Sequence, residues 1–158
     1  MIFVTVGTTK FDRLIKAVDD LAASGALDHD IICQIGNGSY IPSHCDYLRF
    51  TPSISDYITE ADLVITHGGL TTLELIRVRK RFVAIANTDL ADDHQSSFLE
   101  HIARLSGITW SRNPADLPKL VDTALSAPLP ELNTPSLGEA ILRAEYPRPP
   151  IEPRKGKP

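Results

Sequence analysis

The fold is decided by one stretch of the sequence, Ala61-Asp62-Leu63-Val64-Ile65-Thr66-His67-Gly68-Gly69-Leu70-Thr71-Thr72-Leu73-Glu74. Its apolar run predicts a buried strand, and the apolar residues that follow at roughly helical spacing predict a helix; these are Leu70, Leu73, Ile76 and Val78. A strand that ends on two glycines and turns straight into a helix leaves backbone N–H groups free at the positive end of the helix dipole. Such a turn suits a phosphate or diphosphate. A tight turn closed by glycine, without any ligand, explains the same segment equally well.

The composition is that of one globular domain. The chain has 158 residues, of which 42% are hydrophobic and 23% charged, and this is enough for a sizeable core. A net charge of −4 argues against nucleic acid as a partner. No apolar run approaches the ~20 residues of a membrane span. The chain begins Met1-Ile2-Phe3-Val4 without a signal-peptide pattern, so we expect a natural start there and a cytoplasmic protein.

Strand and helix patterns alternate along the first 126 residues. Strands are predicted at 2–6, 30–35, 47–50, 62–66, 82–86 and 107–110, and helices at 10–23, 54–60, 70–79, 92–105 and 114–126. This alternation predicts an α/β fold, a Rossmann-like doubly wound parallel sheet of about six strands. In the Rossmann strand order the first and fourth strands are neighbours, and ligands bind beyond their carboxyl ends.

The character of the chain changes near residue 127. Residues 1–127 are predicted to form the Rossmann-like domain, and residues 128–158 a Pro-rich, basic C-terminal arm that holds eight of the twelve prolines. Within the arm, residues 136–145 have the pattern of one short amphipathic helix. A disordered tail and an arm that docks on a partner both remain open.

Two loops that are distant in sequence would share the crevice beyond the first and fourth strands. Gly7-Thr8-Thr9 follows the first strand, and His67-Gly68-Gly69 ends the fourth. Glycine permits tight turns, and threonine hydroxyls donate to phosphate or sugar oxygens. This convergence favours the ligand-binding interpretation of the opening segment. The chain has neither a Gly-x-Gly-x-x-Gly fingerprint nor a P-loop, which argues against NAD binding and against ATP hydrolysis by a P-loop.

Each polar side chain near this crevice has both a structural and a functional interpretation. Glu74 either stabilises the start of its helix or accepts hydrogen bonds from ribose hydroxyls. After the fifth strand, His94 and Gln95 suit sugar hydroxyls, whereas Asp92-Asp93 suits an N-cap. His67 is open as a general base, a phosphate contact or a structural loop residue. Because the two aspartates are adjacent rather than spaced as Asp-x-Asp, we expect no metal site.

Three motifs in order resemble one group of enzymes. Phe3-Val4-Thr5-Val6-Gly7-Thr8-Thr9, the stretch from Ala61 to Gly69, and Asp93-His94-Gln95 resemble the small, split members of glycosyltransferase family 28. The resemblance covers roughly residues 1–125, and the group serves the dolichol pathway and bacterial exopolysaccharide and capsule assembly. Full-length members have the GT-B fold of two Rossmann-like halves, and this chain resembles the C-terminal, donor-binding half.

The resemblance implies a function that needs a second subunit. The chain would be the donor-binding subunit of an inverting glycosyltransferase that moves a sugar from a UDP-sugar to a lipid-diphosphate-linked acceptor. A membrane-associated, acceptor-binding subunit would supply the other half, recruit this chain to the cytoplasmic membrane face and possess the general base unless His67 does. No cofactor is implied. The isolated chain, with an exposed cleft edge, is expected to be capable of forming a homodimer.

Carried over by position, the resemblance assigns roles to individual residues. The diphosphate would be bound by Gly68, Gly69, Thr71 and Thr72, and the ribose by Glu74. The donor sugar would be bound by His94 and Gln95, the cleft would be lined by Gly7, Thr8 and Thr9, and uracil would bind at the turn from Phe50 to Ile54. Two alternatives remain. One is a non-catalytic module that binds a nucleotide sugar or regulates a partner. The other is an epimerase-like enzyme, which would need a complete second half in the same chain, so the length counts against it.

Overall fold

The structure, a computed structural model, describes residues 1–27, 29–89 and 94–131. Its centre is a parallel sheet of six strands: Ile2–Thr5 (β1), Ile31–Gln34 (β2), Asp46–Leu48 (β3), Leu63–His67 (β4), Phe82–Ile85 (β5) and Thr109–Ser111 (β6). The strand order is β3-β2-β1-β4-β5-β6, and every neighbouring pair is parallel. The predicted Rossmann-like sheet is therefore confirmed, including the adjacent first and fourth strands.

The described residues contain five helices close to the predicted positions, of which the first four connect strands and the last follows β6: Asp12–Ala23 (α1), Ile54–Glu60 (α2), Thr71–Arg77 (α3), His94–Ser106 (α4) and Leu117–Ser126 (α5). The predicted last helix starts as a 3-10 turn, Pro114–Asp116, which Asn113 caps by accepting a hydrogen bond on its side chain from the Ala115 N–H at 3.1 Å. None of these helices is long and apolar enough to span a bilayer. The predicted Asp92-Asp93 cap, the arm beyond Glu131 and the short helix predicted at 136–145 all lie outside the described residues.

The four inner strands of the sheet, β2, β1, β4 and β5, are buried on both faces because most of their residues are apolar, whereas the edge strands β3 and β6 are more exposed. Along β1, Ile2 and Val4 face one core, which α1 and α5 complete. Phe3 faces the other core, which α2, α3 and α4 complete, and its ring stacks on Tyr57 with centroids 5.0 Å apart. Successive strand residues point to opposite faces, so one short strand ties two helical layers to the same sheet.

The third helix, predicted at 70–79, is shorter in the structure and spans Thr71–Arg77. Leu70 is 67% exposed and Val78 is 45% exposed, whereas the buried residues of α3 are Thr72, Leu75 and Ile76. The helix spans only Thr71–Arg77, so Leu70 and Val78 lie at its caps rather than on its inner face. The buried positions are three and four residues apart and therefore form one side of the helix.

A buried carboxylate on α1 holds the segment between β2 and β3. Asp19 is 2% exposed, and its oxygens accept hydrogen bonds from the Tyr40 hydroxyl at 2.7 Å, the Ser43 N–H at 3.0 Å and the His44 N–H at 2.7 Å. Burial raises the pKa of Asp19, but these hydrogen bonds outweigh burial and leave the pKa below its ordinary value of 3.8. The folded state therefore favours the ionised form of Asp19.

We expect Asp19→Asn to lower the free energy of unfolding at pH 7 by about 2 to 3 kcal/mol, because hydrogen bonds to a charged acceptor are lost. A carboxyl group whose pKa is depressed by folding stabilises the protein fully above about pH 4, and this contribution is lost as the pH falls through the folded-state pKa. The variant should therefore lose less stability than the wild type on acidification. Urea unfolding at pH 7 and pH 3 measures both effects. The control is Asp20→Asn, at an exposed residue that pairs with Lys16, and equal losses in the two variants would contradict the prediction.

Candidate functional site

The loops after β1 and β4 meet at the carboxyl edge of the sheet. Gly7 has φ +60°, a left-handed conformation that favours glycine, and its N–H donates to Thr5 Oγ1 at 3.1 Å. A Cβ atom placed at Gly7 would lie 3.6 Å from Cε1 of His67, the last residue of β4. The structure thus brings together the two loops that the sequence analysis singled out, while their role in binding a ligand remains a prediction.

The loop after β2 supports the loop after β1 from the side. Gly36 approaches so closely that an added Cβ would lie 2.5 Å from the Thr9 carbonyl oxygen and 2.7 Å from that of Gly7. Asn37 donates its N–H to the Thr9 carbonyl at 3.2 Å and its Nδ2 to the Thr8 carbonyl at 2.7 Å. The Thr9 hydroxyl donates to the Val6 carbonyl at 2.8 Å within its own turn, whereas Thr8 is exposed at the edge. Of the predicted cleft residues, Thr8 is therefore the one whose side chain faces solvent.

The imidazole of His67 lies between the two glycine loops. It is 7% exposed, and a Cβ atom at Gly69 would lie 2.8 Å from its Nε2. Burial lowers the pKa of His67, and the Thr5 carbonyl opposes this only in part. The ring is consequently neutral at pH 7, and its buried Nδ1 has no hydrogen-bond partner among the described residues. This placement suits a spacer between the loops better than a base that reaches a substrate.

Two N–H groups of the turn between β4 and α3 remain for a ligand. The Gly68 N–H donates to Gln95 Oε1 at 3.1 Å, and the Gly69 N–H donates to the His67 carbonyl at 2.8 Å. The N–H groups of Leu70 and Thr71 have no acceptor within the described part of the chain. They lie at the start of α3, where the helix dipole is positive. In this turn the N–H groups of residues 70 and 71 are therefore the ones available to an anion, whereas those of Gly68 and Gly69 are used within the protein.

The polar side chains of α3 divide into an inner and an outer set. Thr72 is completely buried, and its hydroxyl donates to the His67 carbonyl at 3.1 Å, so it supports the turn from inside. Thr71 and Glu74 are half-buried and lie three residues apart, which puts them on one side of the helix. A hydroxyl and a carboxylate thus flank the two N–H groups that are left for a ligand.

Gln95 joins the turn after β4 to the end of β5. Its Oε1 accepts hydrogen bonds from the Gly68 N–H at 3.1 Å and from the Asn87 N–H at 2.9 Å. A Cβ atom at Gly68 would lie 2.9 Å from the Gln95 Cβ and 3.1 Å from the Leu99 side chain, so α4 packs directly on this glycine. His94, the first residue of α4, is exposed beside this junction.

Asn87 is a residue of this edge that the sequence analysis missed. It follows β5, is 1% exposed, and donates its Nδ2 to the Lys10 carbonyl at 3.0 Å. The available signal was its position, since an amide directly after a fully apolar strand lies at the carboxyl edge of a parallel sheet.

The turn predicted for uracil follows β3, with Phe50 exposed and Thr51 Oγ1 accepting from the Ser53 N–H at 3.2 Å. In the sheet, β2 and β1 lie between β3 and β4.

Comparison with known sequences gives one family. Residues 1–136 match the sequence model described as the glycosyltransferase family 28 C-terminal domain. The UDP-N-acetylglucosamine transferase subunit ALG13 of Homo sapiens is 38% identical over 106 residues, and that of Mus musculus is 33% identical over 105 residues. These matches cover 60% and 59% of this chain but only 9% of each relative. The chain thus spans less than a tenth of the length of these curated relatives.

Comparison with solved structures agrees on the fold. The crystal structure of Acinetobacter baumannii MurG matches with a TM-score of 0.59 at 21% identity, over 79% of this chain and 41% of that one. An NMR structure of ALG13 matches with a TM-score of 0.57 at 18% identity, over 89% of this chain and 94% of that one. At these identities the matches establish a shared architecture, which is that of one half of a GT-B glycosyltransferase.

Proposed function

The chain belongs to glycosyltransferase family 28 and corresponds to the C-terminal domain of that family. From this premise we propose that it is the donor-binding subunit of a two-component inverting glycosyltransferase. It binds a UDP-sugar, whose sugar passes to a lipid-diphosphate-linked acceptor in polysaccharide or glycolipid synthesis. The observation that carries the proposal is the pair of free N–H groups, at Leu70 and Thr71, beside the junction of the β1 and β4 loops. A UDP-sugar combines a diphosphate with hydroxyl-rich groups on both sides, which matches the polar groups at this edge.

The donor is held from its diphosphate outward. The N–H groups of Leu70 and Thr71, with the Thr71 hydroxyl, bind the diphosphate, and Gly68, Gly69 and Thr72 fix the shape of the turn. Glu74 accepts hydrogen bonds from the ribose hydroxyls, since a carboxylate is an acceptor only. The turn from Phe50 to Ile54 receives uracil.

The donor sugar extends towards the first residues of α4. His94 and Gln95 contact it there, and Gly7, Thr8 and Thr9 border the cleft that faces the acceptor. As the bond to the anomeric carbon breaks, negative charge grows on the leaving UDP. N–H groups already aimed at the diphosphate stabilise that charge without reorganisation.

The second half of the active site comes from a membrane-associated partner. In family members with the GT-B fold, a cleft between two Rossmann-like halves holds both substrates, and the described residues supply one wall of such a cleft. Because His67 is only 7% exposed, its imidazole is poorly placed to deprotonate an acceptor hydroxyl. We therefore assign the general base to the partner, and with it the lipid-linked acceptor and recruitment to the cytoplasmic face of the membrane. The burial of His67 also favours the alternative function, in which the chain binds a nucleotide sugar and regulates a partner without catalysing transfer.

The proposal is tested by transfer of radiolabelled sugar into lipid. The purified chain is incubated with UDP-N-acetylglucosamine, UDP-glucose or UDP-galactose, each labelled in the sugar, with and without membranes from cells that lack the chromosomal copy of this chain. We expect label in the lipid extract with one donor, and only when both chain and membranes are present. Transfer without membranes would contradict the need for a partner. Tight binding of a UDP-sugar with no transfer under any condition would favour the regulatory module.

A further inference from the structure

We propose that Asn87 is a positioning residue. It fixes the turn between β4 and α3 (residues 68–71, the donor-binding turn) through Gln95, although Asn87 itself does not contact the donor. This inference rests on the proposed function, because it concerns the geometry of the same site. It is drawn from a junction at the carboxyl edge where the loops after β1, β4 and β5 are joined by a few partly buried hydrogen bonds.

The backbone N–H, the Nδ2 and the Oδ1 of Asn87 each have a hydrogen-bond partner at this junction. Its N–H donates to Gln95 Oε1 at 2.9 Å, its Nδ2 donates to the Lys10 carbonyl at 3.0 Å, and its Oδ1 accepts from the Asp89 N–H at 3.2 Å. The residue is 1% exposed, so water does not replace a lost partner there. Each buried polar group that is left without a partner lowers the free energy of unfolding by about as much as a lost hydrogen bond. The backbone at Asn87 is therefore held in one orientation by its own side chain.

Gln95 transmits this orientation to the donor-binding turn. A carbonyl oxygen has two lone pairs, and Gln95 Oε1 accepts two hydrogen bonds, one from Asn87 and one from Gly68. Rotation of the carboxamide by half a turn would place its NH₂ group against two N–H donors, so the amide has a single allowed orientation. The Gly68 N–H is consequently held in place by the same oxygen that the backbone of Asn87 fixes, and the two free N–H groups follow Gly68 within three residues.

A second connection between α1 and the loop after β5 lies at the surface and offers a control. Arg13 donates to Thr88 Oγ1 at 2.8 Å, and its Nε lies 3.2 Å from Asp89 Oδ1. Both side chains of this ion pair are about half exposed, and such pairs contribute little free energy. Asn87 is the buried connection, so its loss should affect the turn far more than the loss of the Thr88 hydroxyl next to it.

The test compares UDP and UDP-N-acetylglucosamine binding by calorimetric titration, with thermal unfolding of every variant. The variants are Asn87→Ala, the isosteric Asn87→Asp, Gln95→Met, Asn87→Asp combined with Gln95→Met, and the control Thr88→Val. We expect each Asn87 variant to bind both ligands about tenfold more weakly, at a temperature where it is fully folded, and Thr88→Val to bind like the wild type. In the Gln95→Met background, Asn87→Asp should change affinity less than about twofold, because the connection is already absent.

The possible outcomes separate this inference from the proposed function. A wild-type chain that binds neither ligand would overturn the proposed function and this inference with it. Wild-type binding that both Asn87 variants retain would overturn only the inference, whatever their thermal stability. An Asn87→Asp effect that persists undiminished in the Gln95→Met background would overturn the route through Gln95.

Discussion

Replacing Thr71 with aspartate is expected to weaken UDP binding strongly while the fold remains at least as stable as the wild type. Thr71 is the first residue of α3, and its N–H is one of the two without an acceptor among the described residues. A carboxylate in the first turn of a helix is favoured by the dipole, by about 0.3 to 1 kcal/mol. The same carboxylate repels a bound diphosphate, because like charges about 4 Å apart repel by about 1 kcal/mol in water and about 4 kcal/mol near a protein surface. The affinity for UDP should fall about 100-fold or more.

The matched control is Thr71→Asn, which has nearly the shape of aspartate without its charge. Asparagine lacks the hydroxyl but leaves the N–H groups of residues 70 and 71 available, so we expect a loss of about tenfold or less in affinity for UDP. Calorimetric titration with UDP and thermal unfolding of the three proteins separate binding from stability. If the aspartate and asparagine variants bound UDP equally well, the diphosphate would not lie at the start of α3.

The fold was predictable because its inner strands are apolar on both faces and its helices have one apolar stripe. The alternation of strand and helix patterns, with apolar runs such as 2–6, 62–66 and 82–86, predicted a parallel sheet, and the adjacency of β1 and β4 followed from the topology that such sheets adopt. The bounds of the third helix, predicted as 70–79, are Thr71 and Arg77 in the structure, because spacing alone does not show where a helix begins. With Thr71 as its first helical residue, Leu70 is a cap residue and is exposed.

The candidate site was located by its glycines, but its working groups were not. The pair Gly68 and Gly69 marks a tight turn in the sequence, and the structure uses the N–H groups of both within the protein. Which amides stay free depends on where Gln95 lies, and that residue reaches the turn only through the packing of α4 on Gly68. Asn87 was missed for the same reason, because its partners Lys10 and Gln95 come from other segments of the chain. Periodicity reports local structure, whereas these contacts are tertiary.

The second large effect is expected at Gly36, where alanine should destabilise the fold and weaken UDP binding together. Gly36 has φ +52°, which costs an L-residue about 1 to 2 kcal/mol. A Cβ atom there would also lie 2.5 Å from the Thr9 carbonyl oxygen and 2.7 Å from that of Gly7. Both are backbone atoms, so the loop after β1 must move to make room, and overpacking of this kind costs about 1 to 3 kcal/mol more. We expect a total loss of about 3 kcal/mol in the free energy of unfolding, measured with urea.

The control for Gly36→Ala is Gly25→Ala, which isolates the cost of the left-handed conformation. Gly25 has φ +69°, and an added Cβ would meet nothing within 4 Å, so only backbone strain of about 1 kcal/mol is expected. Gly25 also lies after α1, at the opposite edge of the sheet from the candidate site, and its variant should bind UDP like the wild type. The loop after β1 approaches His67, because a Cβ atom at Gly7 would lie 3.6 Å from its Cε1, and His67 lies next to the turn between β4 and α3. Displacing that loop should therefore lower the affinity of Gly36→Ala for UDP even where the variant is fully folded. A Gly36→Ala protein that was destabilised no more than Gly25→Ala, or that bound UDP normally, would show that the loop after β1 does not govern the geometry of the turn.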